Sequence, residues 1–189
     1  MMRTTLVLFA AAFSALSVSG QNDEETVPPG EEAHSPPPYV GSPEFERLKA
    51  LAGRWIATAG MPQGAPGGEG AMARVAAEYR VTANGSVVVE RNFPDTPKEM
   101  ISVYHDRGGK LSMTHYCALG NQPRMILTSS TERVLTLEMV EGSLDSAEEP
   151  HMHSVSIAYD GGDEMSQTWS MYQGGEEMMT NTMTFRRLQ

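Results

Sequence analysis

The sequence contains a single cysteine, Cys117, among its 189 residues, so no disulfide can form within the chain. A lone thiol of this kind is either buried or functional. Positive charge is also scarce, because 14 Lys and Arg stand against 24 Asp and Glu and the formal net charge is −10. Such a surface repels phosphate groups, which argues against nucleic acid and anionic membranes as partners.

No apolar run is long enough to span a bilayer, which takes about 20 residues in a helix. The longest run, residues 4–16, follows Arg3 and precedes small residues that continue to Gly20. This layout is typical of a signal peptide over residues 1–20, and we expect cleavage after Gly20. The expected product is periplasmic or secreted, with no stable membrane anchor after cleavage. An uncleaved anchor is the alternative.

Residues 21–43 form a segment of unusual composition that holds six of the twelve prolines and several acidic residues. A segment of this kind buries too little apolar surface to offset the entropy lost on ordering. We therefore predict a disordered linker over residues 21–43 and one folded domain over residues 44–189.

One short helix is predicted from Ser42 to Gly53, with Ser42 as N-cap and Pro43 in the first turn. The rest of the chain predicts about ten short strands separated by turn signals. They are expected near 54–59, 72–82, 86–93, 98–106, 110–117, 124–129, 133–140, 151–159, 164–173 and 177–187. Successive hairpins in this number favour an all-β fold, an antiparallel up-and-down barrel, with a two-sheet sandwich as the alternative. Residues 60–70 are rich in glycine and predict a mobile loop at one barrel end.

Two glycine-containing turns predict which side chains share a face. If Asn84-Gly85 is a two-residue turn, Tyr79 lies opposite Glu90, and Glu90 then faces the barrel interior. If that turn is longer, the register slips by one residue and Glu90 points outward.

The second of these turns is Gly108-Gly109. As a two-residue turn it places Tyr104 opposite Met113 and Ser102 opposite His115. We expect this face, which also carries Met100 and Cys117, to be the interior one because it holds methionines and the cysteine. The opposite face, with Ile101, Val103, His105, Thr114 and Tyr116, is the alternative interior.

The predicted helix, residues 51–55 (LAGRW) and the strands that follow resemble the calycin β-barrels. Gly53-x-Trp55 resembles the lipocalin entry, in which the tryptophan fills one barrel end beside a short helix. The pattern is also similar to nitrobindin-like barrels and to bacterial lipocalin-like domains. The resemblance implies a barrel with an internal cavity. Nitrobindins hold haem through a histidine near the C-terminus, whereas the last histidine here is His153, so that ligand position is missing.

The leading hypothesis is non-covalent binding of a small, largely apolar molecule inside the barrel. Residues 113–125 (MTHYCALGNQPRM) would supply part of the wall and, through the turn at 121–124, a polar lip. The predicted ligand-binding residues are Glu90, Tyr104, Met113, His115, Cys117 and Arg124.

Three other hypotheses about function remain open. His151 and His153 alternate on one strand and, with His115, could bind zinc, copper or haem, with hydrolysis as a further option. A Cys117 nucleophile with His115 as base lacks a recognisable protease or transferase context, so no catalytic residue is assigned. The sequence leaves enzymatic activity undecided and favours a protein that is not an enzyme. The last reading is a structural or stress-related exported domain without a ligand, whose methionines fill its own core.

Overall fold

The computed structural model describes residues 36–61, 74–146 and 148–189. The predicted signal peptide, the linker up to Ser35 and most of the 60–70 loop lie outside these residues, and their assignments stay predictions. Among the described residues, no helix is both long and apolar enough to cross a membrane.

Ten antiparallel strands close into a barrel in which each strand pairs with its neighbours along the chain and the last pairs with the first. The α-helix α1 (Pro43–Lys49) precedes them. The strands are β1 (Gly53–Ala59), β2 (Val75–Thr82), β3 (Val87–Asn92), β4 (Met100–Asp106), β5 (Leu111–Tyr116), β6 (Arg124–Ser130), β7 (Val134–Met139), β8 (His151–Tyr159), β9 (Glu164–Gln173) and β10 (Glu176–Arg187). The predicted all-β up-and-down barrel is confirmed, and the sandwich alternative is excluded.

Helix α1 is shorter than predicted, because it ends at Lys49 and not near Gly53. Its start is as expected, since the Ser42 hydroxyl accepts a hydrogen bond from the Phe45 amide at 3.3 Å. After Lys49 the hydrogen bonds change to the tighter three-residue spacing of a 3-10 turn, because the Leu51 amide donates to the Leu48 carbonyl at 3.1 Å. This tighter spacing stops the helix and turns the chain into β1.

The helix covers one end of the barrel, where Trp55 is fully buried. The Trp55 indole donates to the Leu51 carbonyl at 2.9 Å, which satisfies a group left free by the end of the helix. The Arg187 guanidinium lies 4.3 Å from the Trp55 ring centre and also donates to the Ala52 carbonyl at 2.7 Å. These contacts close this end of the barrel.

The end of the predicted linker contacts the barrel. The Tyr39 amide donates to the Asn84 carbonyl at 2.8 Å, and the Tyr39 hydroxyl donates to the Asp106 carbonyl at 3.0 Å. The Asp106 carboxylate also accepts from the Ser42 amide at 2.5 Å. Residues 36–43 therefore pack in the same compact unit as the strands.

The two hairpin registers are as predicted. Asn84 and Gly85 have φ of 50° and 85°, and the Ser86 amide donates to the Ala83 carbonyl at 3.1 Å. These are the features of a primed two-residue turn, and Tyr79 pairs with Glu90 across β2 and β3. The longer-turn alternative is therefore excluded. Gly108-Gly109 forms the second such turn, and Ser102 pairs with His115 across β4 and β5.

The predicted interior face of β4 and β5 is also confirmed. His115 is 1% exposed, and Ser102, Tyr104 and Met113 are equally buried. On the other face, Ile101, His105 and Tyr116 are exposed. Side chains alternate along a strand, so this burial pattern fixes His115 and its face toward the barrel interior.

Gly60 supplies a test of how closely β1 approaches β10. A methyl group at Gly60 would lie 1.8 Å from the Thr182 carbonyl oxygen, whereas one at Gly108 would meet nothing within 4 Å. Both glycines have positive φ, so Gly108→Ala should cost only the backbone penalty of about 1 kcal/mol. We expect Gly60→Ala to cost at least about 3 kcal/mol, since it adds a backbone collision. Urea unfolding of both variants measures the difference, and equal losses would contradict the close approach.

Candidate ligand-binding site

The barrel encloses a cavity of about 60 Å³ at some distance from the helix-covered end. Its wall consists of apolar side chains with a few polar ones between them. The lining residues are Asn92, Phe93, Met100, His115, Met152, Trp169, Met179, Asn181 and Met183. Met152 is near the start of β8, whereas Tyr159, which packs on Trp55, ends it. The cavity therefore lies toward the open end of the barrel.

Met179 marks the mouth of the cavity, because it lines the wall and is nevertheless 45% exposed. Asn181 lies beside it on β10 and donates its side-chain amide to the Gly60 carbonyl at 3.0 Å. This contact fixes the end of β1 against the rim. The cavity thus reaches solvent beside Met179, and its lining residues lie on strands except for Phe93, which follows β3.

Two buried polar atoms at the cavity have no hydrogen-bond partner among the residues that the structure describes: His115 Nε2 and Asn92 Oδ1. Their residues are 1% and 2% exposed, so bulk water does not satisfy them. A buried polar atom left unpaired costs about 1–3 kcal/mol and is uncommon in folded proteins. The cavity therefore presents unmet hydrogen-bonding capacity in an otherwise apolar wall.

His115 is held in place on both sides of its ring. Its Nδ1 lies 3.0 Å from the Ser102 hydroxyl, and its ring centre is 4.8 Å from that of Trp169. Burial lowers the pKa of His115 to about 4, so the imidazole is neutral at neutral pH.

Glu90 lies behind the cavity wall and is fully buried. The Tyr79 hydroxyl donates to it at 2.8 Å, the Tyr104 hydroxyl at 2.7 Å and the Gln167 amide at 2.5 Å. Burial raises the pKa of Glu90, and these hydrogen bonds oppose that rise. Burial and the carboxylate of Glu90 raise the pKa of both tyrosines, which keeps their hydroxyls protonated as donors.

Gln167 connects this network to the cavity. Its side-chain oxygen accepts from the Trp169 indole at 2.9 Å, while its nitrogen donates to Glu90. Trp169 then packs on His115. A change in the cavity therefore has a physical route to the buried carboxylate through side chains in contact.

The six predicted ligand-binding residues separate into four groups. Of the six, His115 alone lines the cavity. Glu90 and Tyr104 hydrogen bond each other behind the wall, as described above. Met113 is 1% exposed and belongs to the packed core.

The remaining two lie away from the cavity wall. Cys117 follows the last residue of β5 and is half-buried, and burial raises the pKa of its thiol, which disfavours the reactive thiolate. Arg124 is exposed on β6 beside the inward-facing Met125, so its side chain is on the outer surface. Neither residue therefore contributes to the wall of this cavity.

The histidines of the predicted metal site are brought together only in part. His151 Nε2 lies 3.4 Å from His153 Nδ1, and the His153 ring stacks on Tyr172 with ring centres 4.1 Å apart. Within the residues that the structure describes, no group of three or more His, Cys, Asp or Glu side chains could hold a metal ion. His151 and His153 therefore lie together as a pair. His115, the third histidine of the predicted site, packs on Trp169 and does not join them.

The predicted ligand-binding residues leave out most of the wall, including Asn92 and the residues from β8 to β10. A signal existed for Asn92, since the register that turned Glu90 inward also turned Asn92 inward. Gln167 could have been found from alternation along β9, which places it between the buried Met165 and Trp169. Met100 lies on the face that the Gly108-Gly109 turn predicts to be interior, whereas Met152, Met179 and Met183 gave no local signal.

No protein-family model matches this chain, and no curated protein shows a significant sequence match to it. The class is therefore defined by the fold and the site alone. It is a closed ten-stranded antiparallel barrel with a small apolar cavity near one end.

Proposed function

We propose that this protein is an exported, lipocalin-like barrel of the calycin type that binds a small, largely apolar molecule without covalent chemistry. One observation carries the proposal: an apolar cavity contains two buried polar atoms, His115 Nε2 and Asn92 Oδ1, that have no partner in the described part of the chain. Ligand pockets combine an apolar wall with a few placed polar groups in this way. Export rests on the signal-peptide pattern of residues 1–20.

The side chains of the cavity wall are of a type that adapts to a ligand and does not impose one fixed packing arrangement. Four methionines line the cavity, and their unbranched side chains adapt to the shape of a guest. A volume of about 60 Å³ exceeds the roughly 10–15 Å³ that one water requires, so the cavity admits a molecule of several heavy atoms. A longer ligand would extend past Met179 into solvent.

The two tryptophans provide a test with an internal control. Trp169 lines the cavity, whereas Trp55 is buried under the helix at the other end. We expect a small apolar probe such as n-butanol to shift the indole N–H resonance of Trp169 and to leave that of Trp55 unchanged. Equal shifts of both resonances, or none, would contradict binding in this cavity.

A matched pair of variants tests whether Met179 forms the mouth of the cavity. Met179 lines the cavity, whereas the adjacent Met178 is 56% exposed and does not. We expect Met179→Phe to weaken n-butanol binding at least about fivefold, or about 1 kcal/mol, because a stiff ring narrows the entrance. Met178→Phe should leave the affinity unchanged. If both variants bind as the unmodified chain does, the mouth is elsewhere.

A further inference from the structure

We propose that His151 and His153 bind one zinc ion between them and leave two of its four coordination positions for water or an external ligand. The site is separate from the cavity of the proposed function, because neither histidine lines that cavity. It also differs from the metal site predicted from the sequence, which includes His115 as a third ligand. The proposal rests on the positions of two ring nitrogens and on the contacts that fix them.

A β-bulge near the start of β8 brings the two imidazoles together. The β8–β9 register shifts between Met152 and Ser154, so the intervening His153 has no paired residue on β9. Its ring instead stacks on Tyr172, the residue that pairs with His151, with ring centres 4.1 Å apart. The ring centres of the two histidines are 5.6 Å apart. Bulges commonly redirect a side chain, and this one aligns both imidazoles while Met152 reaches the cavity.

The backbone determines which nitrogen of His151 carries the proton. Its Nδ1 lies 2.8 Å from the Glu149 carbonyl oxygen, which has no hydrogen and can only accept. Nδ1 is therefore the donor, and in the neutral imidazole Nε2 keeps its lone pair. Nε2 is the nitrogen that faces His153. A metal-binding histidine is usually oriented in this way, with its second ring nitrogen donating to a carbonyl or a carboxylate.

The spacing of the two facing nitrogens fits a tetrahedral metal ion. His151 Nε2 and His153 Nδ1 are 3.4 Å apart. Hydrogen bonds donated by N–H groups usually span about 2.7–3.2 Å, so this pair is long for a direct hydrogen bond. Two nitrogens bound to zinc at the tetrahedral angle lie about 3.3–3.4 Å apart, which matches the observed distance. The right angle of square-planar copper(II) would bring them to about 2.9 Å, so the spacing favours zinc.

The surroundings of the pair attract a cation and leave it accessible. Glu138 pairs with Ser154 across β7 and β8, which places an acidic residue next to the position of His153 on the neighbouring strand. Negative charge of this kind raises the local concentration of cations. His153 is partly exposed, so water and external ligands reach the site. In the described ranges no third His, Cys, Asp or Glu side chain completes a metal-binding group. Two protein ligands therefore hold an exchangeable zinc ion, unlike the four ligands of structural sites.

The first test is a titration of the full chain with zinc chloride at pH 7, followed through the ring-nitrogen resonances of its histidines. We expect saturable shifts at His151 Nε2 and His153 Nδ1. The exposed His105 on β4 should not shift. Magnesium chloride at the same concentrations should shift none of them, because magnesium prefers oxygen ligands. The proposal is overturned if zinc leaves the two facing nitrogens unchanged or if magnesium shifts them equally.

A matched pair of variants tests the ligands themselves by calorimetric titration with zinc chloride. Loss of an outer contact to a ligand already costs about 10–100-fold in metal affinity, so His153→Gln should weaken zinc binding at least tenfold. His105→Gln should leave zinc affinity unchanged. His151→Gln should weaken it as His153→Gln does, but His151 is 2% exposed. If that variant does not fold, the partly exposed His153 decides the result. Unchanged zinc affinity in His153→Gln would overturn the proposal and leave the function of the cavity standing.

Discussion

Acidification from pH 6.5 to pH 4 is expected to lower the free energy of unfolding by about 3 kcal/mol through His115 alone. Burial lowers the pKa of His115 from 6.5 to about 4 in the folded protein. Above pH 6.5 the residue is neutral in both states, and its contribution is fully present. As the pH falls, the unfolded chain takes up the proton first, so the stability is lost progressively down to the folded pKa.

The measurement is urea unfolding at several pH values for three proteins: the unmodified chain, His115→Gln and His105→Gln. His115→Gln should flatten the curve between pH 6.5 and pH 4 relative to the unmodified chain. His105 is exposed on the opposite face of β4, so His105→Gln should retain the full slope. If His115→Gln keeps the same slope, another group is responsible for the loss of stability on acidification. The assignment of His115 as a buried neutral imidazole is then wrong.

Tyr104→Phe is expected to destabilise the protein by about 3 kcal/mol, because it removes a donor from a buried carboxylate. Tyr104 is fully buried and donates to Glu90 at 2.7 Å. Little volume changes, so the loss reports on hydrogen bonding and not on packing.

Tyr116→Phe is the matched control. Tyr116 lies on β5, the neighbour of β4 in the barrel, but it faces outward and is 49% exposed. Its variant should change the free energy of unfolding by less than about 0.5 kcal/mol. Urea unfolding at pH 7 measures both. Comparable losses would mean that the assigned interior face of β4 and β5 is wrong.

The parts of the fold that the sequence predicts well are those decided by short-range chemistry. Asn84-Gly85 and Gly108-Gly109 each adopt the left-handed backbone that a two-residue hairpin turn requires. Once these turns are fixed, the register follows, and with it the inward orientation of Glu90 and His115. The helix start is equally local, since it depends on the Ser42 side chain.

The wall of the cavity depends on features that no local pattern encodes. Bulges interrupt the pairing between Met152 and Ser154 on β8 and between Glu177 and Met179 on β10. Each bulge shifts the alternation of faces, so simple counting cannot say that Met152 and Met179 reach the cavity. The cavity also requires β10 to close the barrel against β1, which is a pairing between the two ends of the sheet.

The sequence places Cys117 in the pocket by alternation with His115, and Arg124 by its position in the polar turn at 121–124, but neither residue lines the cavity. Strand β5 ends at Tyr116, so the alternation that turns His115 inward does not extend to Cys117. Arg124 pairs with the outward-facing Thr114, which directs it away from the interior. Residues close in sequence to His115 therefore lie outside the cavity, and distant ones on β9 and β10 line it.

A crystal structure of the full chain soaked with n-butanol tests the binding site most directly. We expect the ligand in the cavity between Asn92 and His115, with its hydroxyl oxygen about 3 Å from Oδ1 of Asn92 or from Nε2 of His115. The alkyl chain should contact the methionines of the wall and point toward Met179. A cavity that stays filled by the protein's own side chains or by water alone at saturating n-butanol would contradict the account.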